Sequence, residues 1–305
     1  MKKFKKTMKR FWPLYLMFVP GAVYLFINCY IPMFGIQIAF RQYNARYGVY
    51  KSPWVGLDNF EFLFKTKDAF VMVRNTLLYN LVFIALGTVC AVAVAIILHE
   101  IRAKKSKQLY QTVILIPFLI SMVIVSYLAF AFLSNSSGYI NNSILKLFGV
   151  APKDWYNTPK YWPYILVIIN LWKGLGYNMI LYYSTICGID GTLYEAAVVD
   201  GATRWQRIVN VTLPGLKSTI IILTLMALGG IFRSDFGLFY QVPQASGPLI
   251  SVTQTIDTYV YRGLMQTNNI GMSAAAGFYQ SVVGFILVVS ANLIVRKLDD
   301  ESALF

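Results

Sequence analysis

The 305-residue sequence is short of charge, of acid and of histidine: Asp, Glu, Lys and Arg together make up 13% of it, and His99 is its one histidine. An ordinary soluble domain is about one quarter charged, so a water-facing surface of ordinary composition is excluded. Beside Glu100 at the end of an apolar run, His99 reads as a solvated anchor, and neither a catalytic triad nor a metal cluster can be assembled around it. Cys29, Cys90 and Cys187 all sit in apolar segments without metal-type spacing, and an odd count gives no disulfide framework, so they read as small packing residues. No Gly-x-x-x-x-Gly-Lys-Ser/Thr loop occurs, which excludes a P-loop of the chain's own. What is abundant is apolar surface: 57% of residues are hydrophobic and 16% aromatic, with a mean hydropathy of +0.56. A soluble fold of this size would have to hide more than one core can hold. A polytopic membrane protein needs no such hiding.

The net charge of +14 raises the question of nucleic acid. The basic residues lie at the ends of apolar blocks and form no stripe interleaved with exposed aromatics, so a nucleic-acid partner is not expected. Six runs are long enough to cross about 30 Å of hydrocarbon. They cover about 12–40, 76–98, 108–133, 161–187, 216–237 and 273–295. Pro13, Pro20, Pro32 and Pro117 fall inside two of them, which membrane helices tolerate when neighbours satisfy the freed backbone groups. The basic start, residues 1–11, imitates a signal peptide, but the apolar stretch behind it is long and has no small-x-small cleavage site, so it reads as a retained anchor. Nor do the residues before Cys29 resemble a lipidation site.

With an even number of spans both termini share a side, and Lys and Arg decide which. Residues 1–11 hold six, the loop with Arg102, Lys104, Lys105 and Lys107 four, residues 188–217 three, and Arg296 with Lys297 two. The opposite loops, 41–72, 134–160 and 238–272, hold nine over much greater length. Both termini are therefore expected in the cytoplasm of a multi-pass protein. Residues 12–305 are expected to form one transmembrane domain behind the 1–11 tail. Glu100 and the pair Asp299 and Asp300 read as cytoplasmic surface charge.

Residues 190–214 are more than a connector. Tyr194-Glu-Ala-Ala-Val-Val-Asp-Gly-Ala202 is small and helix-favouring, Gly201 permits a sharp turn, and Pro214 stands where a helix begins into the fifth span. Two short helices along the membrane surface are predicted. The spacing Glu-Ala-Ala, three residues, Gly, nine residues, an aliphatic residue, one residue, Leu-Pro resembles the signature of permease subunits of binding-protein-dependent ABC importers, with Val211 where Ile is usual. Pro32-Met-Phe-Gly-Ile-Gln-Ile-Ala-Phe40 and Ser52-Pro-Trp-Val-Gly-Leu-Asp-Asn-Phe60 are similar to the LplB-type permeases for polysaccharides and complex sugars. The two resemblances extend over essentially the whole chain.

The resemblance implies an all-α type I importer permease fold in a bacterial inner membrane, with a coupling helix that docks on an ATPase. Glu195, Ala196, Ala197, Asp200, Gly201, Leu213 and Pro214 would carry that coupling, the small residues by close seating and the acids by pairing with basic groups. A solvated amphipathic interfacial helix is the plainer alternative. The implied partners are a second homologous permease, two ATPase subunits that hydrolyse ATP with Mg, and an extracytoplasmic substrate-binding lipoprotein or protein that delivers an oligosaccharide. No cofactor is implied for this chain itself. The outer loops, with Trp54, Trp155 and Tyr156, would receive the binding protein or simply pack on the permease.

A charge at membrane depth is by default a functional hypothesis. Lys173 falls in the fourth span, Arg233 and Asp235 late in the fifth, and these spans flank the coupling segment. By resemblance such spans line the translocation path. Asn170, Lys173 and Tyr177 recur at helical spacing, and Trp172, Gly230 and the aromatics nearby complete a candidate path of Asn170, Trp172, Lys173, Tyr177, Gly230, Arg233 and Asp235. Sugar hydroxyls would bond to Asn and Lys, and a pyranose face would rest on an aromatic ring. The cations Lys173 and Arg233 would suit an acidic oligosaccharide. The structural alternative pairs Lys173 with Asp235 or with a backbone carbonyl. An importer of peptides or modified amino acids, a channel and an integral-membrane enzyme are the competing functions, although no catalytic cluster is visible at either membrane face.

Overall fold

A computed structural model of the chain describes residues 2–298; Asp299 and Asp300 lie outside the described residues. Among the described residues the architecture is all helical, with a single isolated bridge between Arg41 and Trp54. The main helices are α1 (Lys2–Leu25), α2 (Lys67–Glu100), α3 (Lys104–Leu119), α4 (Met122–Leu133), α5 (Trp162–Cys187), α6 (Gly191–Val199), α7 (Arg204–Gly229), α8 (Ile256–Thr267) and α9 (Ile270–Leu298). Two compact units are distinguished: Met1–Lys65 with Arg262–Tyr279, and Thr66–Tyr261 with Gln280–Phe305.

In the first unit α1 carries Pro13 and Pro20 and a kink at Phe11. It continues through a π turn, Phe26–Tyr30, into a 3-10 stretch, Ile31–Phe40, that opens on Pro32. Proline removes a donor from the ladder, and the tighter and wider turns take up the mismatch. The segment after this span is folded onto its end. Arg41 donates to the carbonyls of Tyr50 and Ser52, each at 2.8 Å, and Asn59 donates to those of Ala39 and Arg41 at 3.0 and 2.9 Å. Trp54 stacks on Phe40 at 5.5 Å, and Phe60 and Phe278 close the same aromatic cluster. Trp54, Asn59 and Phe60 thus pack the loop onto the end of this span, one of the two uses anticipated for it.

In the second unit α2 packs along α5. Ala91 and Ala95 on α2 let it approach Met179, Tyr182 and Ile186 of α5, with Leu216 of α7 completing a fully buried cluster. Nearer the other end Tyr79, Val125, Trp162, Leu166 and Phe239 form a second one. The α3–α5 contact depends on Gly176, where a Cβ would lie 2.3 Å from the carbonyl oxygen of Ile114. A methyl group cannot be accommodated there without moving backbone.

Three of the expected spans are corrected in outline. The third is not one helix: α3 and α4 meet at a 95° bend across Ile120 and Ser121, so five helices are long and apolar enough to cross a membrane, or six if the bent pair is one span. Pro117 lies just before the break, and Ser121 caps α4 by accepting from the Ile124 amide. The second span begins earlier than hydropathy shows, because Thr66 caps α2 by accepting from Ala69 ahead of the polar turn Lys67-Asp68. The fifth stops at Gly229 rather than 237, and residues 230–235 leave the helix at the Gly229-Gly230 pair. The fourth and sixth run close to their expected bounds.

Candidate functional site: a surface helix and a groove between three spans

The segment expected to couple, residues 190–214, is organised around α6 and its two ends. Asp190 caps the start by accepting from the Thr192 amide at 2.9 Å, a bond that holds its carboxyl below the usual carboxylate range. At the other end Gly201 takes φ +75°, its amide donates to the Val198 carbonyl and the Ala202 amide to that of Ala197. This is a Schellman stop, and it needs a residue that tolerates the left-handed region. Thr203 and Gln206 then form a reciprocal capping box that starts α7.

One expectation is corrected here. The second surface helix does not exist as a separate piece: Arg204–Arg207 runs through a π turn, Ile208–Thr212, directly into Leu213–Gly229. Pro214 therefore stands inside a continuous helix, and the widened turn before it absorbs its missing donor. Along α6, Glu195, Ala196 and Asp200 are exposed, Ala197 is half-buried, and Leu193, Val198 and Val199 are exposed by 54%, 55% and 86%. At 100° per residue these three apolar side chains stand on different sides of a nine-residue helix that is exposed around most of its circumference.

The sequence reading missed what fastens α6 to the spans. The Tyr194 hydroxyl hydrogen-bonds that of Thr212 at 3.0 Å, and its ring lies 5.9 Å from that of His99 at the end of α2. Ile189 fills the notch at Gly215, where a Cβ would lie 2.6 Å from the Ile189 side chain. A signal was present in the sequence, since Tyr194 directly precedes Glu195, but the partners on α2 and α7 are far away along the chain.

The candidate path residues are not brought together as one set. Asn170 and Tyr177 of α5 line a groove of about 320 Å³ between α2, α5 and α7, with Thr88, Asn178, Leu223 and Met226. Trp172 lines a separate apolar cavity of about 400 Å³ with Leu128, Phe132 and Ile165, because it stands on another side of α5. Lys173 is directed at the bend: its Nζ donates to the carbonyls of Ile120, Phe118 and Pro117 at 2.6, 3.1 and 3.5 Å. These carbonyls belong to the last turn of α3 and its cap residue Ile120, where a cation also meets the negative helix end. Of the two structural pairings anticipated for Lys173, the one with backbone carbonyls is realised and the one with Asp235 is not. Phe118, in the same bend, stacks on Tyr177 at 4.9 Å and so joins the bend to the groove.

Gly230, Arg233 and Asp235 belong to the unwound stretch. Gly230 ends α7, its amide donating to Ala227, and Asp235 caps the next turn by accepting from Leu238 at 3.1 Å. The Arg233 side chain is exposed. The stretch is held by amides and one acid that the sequence reading passed over. Asn80 donates to the carbonyls of Ile231 and Arg233, both at 2.8 Å, and Gln280 to that of Phe232 at 2.7 Å. Asp257 accepts from the Ser234 amide and hydroxyl at 2.6 and 2.8 Å. Non-helical backbone at membrane depth survives only when its polar groups are answered in this way. Asn80 and Gln280 were findable, as lone amides inside apolar runs.

Residues 84–300 match the family described as binding-protein-dependent transport system inner membrane component, and the chain belongs to it. The match includes the coupling segment and the spans around it. The chain is 34% identical to Protein LplB of Bacillus subtilis (strain 168) over 293 residues, covering 94% of this chain and 90% of that one. It is 35% identical over 289 residues to the polygalacturonan/rhamnogalacturonan transport system permease protein YteP of the same organism, covering 94% and 89%. A crystal structure of a bacterial ABC transporter involved in the import of the acidic polysaccharide alginate superposes with a TM-score of 0.88 at 33% identity, over 97% of this chain and 99% of that one. The chain is thus a multi-pass permease subunit of an ABC importer, with the type I permease fold. The channel and membrane-enzyme alternatives give way to this.

Proposed function

We propose that this chain moves oligosaccharides or complex sugars, delivered by an extracytoplasmic binding protein, into a bacterial cytoplasm at the expense of ATP hydrolysed with Mg by two partner ATPase subunits. A second, homologous permease would complete the path. The observation that carries the reading is the pairing of an exposed surface helix, α6, with a groove of mixed polar and apolar lining between α2 and the two spans that flank that helix. Asn170, Asn178 and Thr88 offer amide and hydroxyl groups for sugar hydroxyls, and Tyr177 offers a ring face. The chain supplies coupling and path and leaves hydrolysis to its partners. Both termini are assigned to the cytoplasm from the distribution of Lys and Arg.

An acidic oligosaccharide is favoured within this class. The Lys173 ammonium is taken up by three carbonyls, but the exposed Arg233 remains as a cation for a uronate group, as does Arg74, which donates to the Asn75 side chain at 3.0 Å beside a largely apolar cavity of about 620 Å³. YteP and the alginate importer, named for polymers of this kind, support the choice.

The test is purification of the tagged chain from its native membrane in mild detergent, with mass identification of what co-elutes and an ATPase assay with added uronate and neutral oligosaccharides. A Walker-motif ATPase and a second permease should co-elute, and Gly201→Asp should release the ATPase. Recovery of the chain alone in several detergents, with no ATPase activity, would overturn the proposal.

A further inference from the structure

A polar cavity of about 370 Å³, distinct from the groove, opens where α2 and α5 end, lined among others by His99, Glu100, Arg102, Tyr194, Arg204 and Arg207. Three guanidinium groups face one carboxylate, so the cavity is positive. Among the described residues none of the three has an ion-pair partner within 4.0 Å. The Nε of Arg207 and the Nδ1 of His99 are buried and make no hydrogen bond. A buried polar nitrogen without a partner is costly, and both belong to residues that line this cavity.

The chemistry that answers such a cavity is an anion with several acceptor oxygens. Guanidinium groups match phosphate by paired, charge-assisted hydrogen bonds. Arg204 and Arg207 are one helical turn apart and so share a face. Trp205, between them in the chain, is 71% exposed. An exposed tryptophan among arginines at the end of a membrane span marks the headgroup layer, where anionic lipids gather basic residues.

We propose that this cavity binds the phosphate of an anionic phospholipid headgroup and holds that lipid against the coupling segment, through Tyr194, whatever solute the importer carries. The probe is phosphatidylglycerol. The full chain is purified from vesicles of phosphatidylcholine with phosphatidylglycerol, and retained lipid is counted by native mass spectrometry. One phosphatidylglycerol should be retained per chain, in preference to phosphatidylcholine. Arg204→Gln with Arg207→Gln should weaken retention roughly thirtyfold, from the loss of two surface charges, and Lys160→Gln on the opposite side should not. Arg102→Gln, outside any helix, serves if the double variant folds poorly, and should weaken retention several-fold.

Equal retention in Arg102→Gln and the wild type would overturn the proposal. So would displacement of all bound lipid by millimolar inorganic phosphate, which would make the cavity a site for a free anion. Loss of a co-purified ATPase in the arginine variants with lipid retention unchanged would assign the cavity to a partner's carboxylates. None of these readouts depends on transport, so failure here leaves the importer reading intact.

Discussion

A lysine halfway along a membrane helix needs acceptors, and Lys173 finds them in carbonyls that a straight neighbouring helix would have kept for itself. Lys173→Met should leave those carbonyls open, lowering stability by about 2 kcal/mol, read as a lower melting temperature in detergent with sugar preference unchanged. Asn170→Ala should do the reverse: melting unchanged, but a raised apparent KM for the transported sugar. The two variants separate a supporting residue from one that meets substrate. The charge of Lys173 was legible in the sequence as a feature that demanded an explanation. Its partners were not, because they exist only once the helix after Pro117 breaks, and hydropathy averages over a break flanked by apolar residues on both sides.

Among elements, α6 is the most exacting. Its end was readable from Gly201 alone, and its beginning from Asp190, because caps and stops are local rules. Gly201→Ala would force a left-handed backbone at roughly 1 to 2 kcal/mol, although nothing crowds the position. Its expected effect is a weaker ATPase association, measured by co-purification, in a chain that still folds. Acid should act at the other end. Because the Asp190 carboxyl is held below its ordinary range, the charged cap stabilises α6 above that range and is lost as pH falls through the depressed value. The protection of α6 amides against exchange, after division by the intrinsic rate at each pH, should therefore fall in acid for the wild type and stay flat for Asp190→Asn. The continuity of Arg204 with Gly229 was illegible for the opposite reason. Pro214 usually announces a helix start, and only a π turn, which has no sequence rule, lets the helix run past it.

At the scale of the molecule, orientation is the property most open to a simple check. With the native Cys29, Cys90 and Cys187 changed to Ala, Lys146→Cys should react with an impermeant thiol reagent in intact cells, and Lys105→Cys only after the membrane is opened. Equal labelling of both in intact cells would contradict the assignment of sides. Composition made the membrane class and helical architecture plain, since nothing else accommodates 57% apolar residues with so little charge. The groove was half legible: Asn170 and Tyr177 share it, but Thr88 comes from a helix some eighty residues away in the chain.

The fastening of Tyr194 to Thr212 has a mechanical consequence. A π turn next to a proline is the softest joint in its helix, and a push delivered at Arg204 would be absorbed there as local bending. Thr212 is the last residue of that soft joint. A force entering through Tyr194 is applied where the stiff part of the shaft begins. From Leu213 to Gly229 the shaft is 17 residues, or about 26 Å at 1.5 Å per residue. A tilt of about 10° over that length carries its far end about 4 Å, more than the width of a hydroxyl group, with no turn of the helix undone.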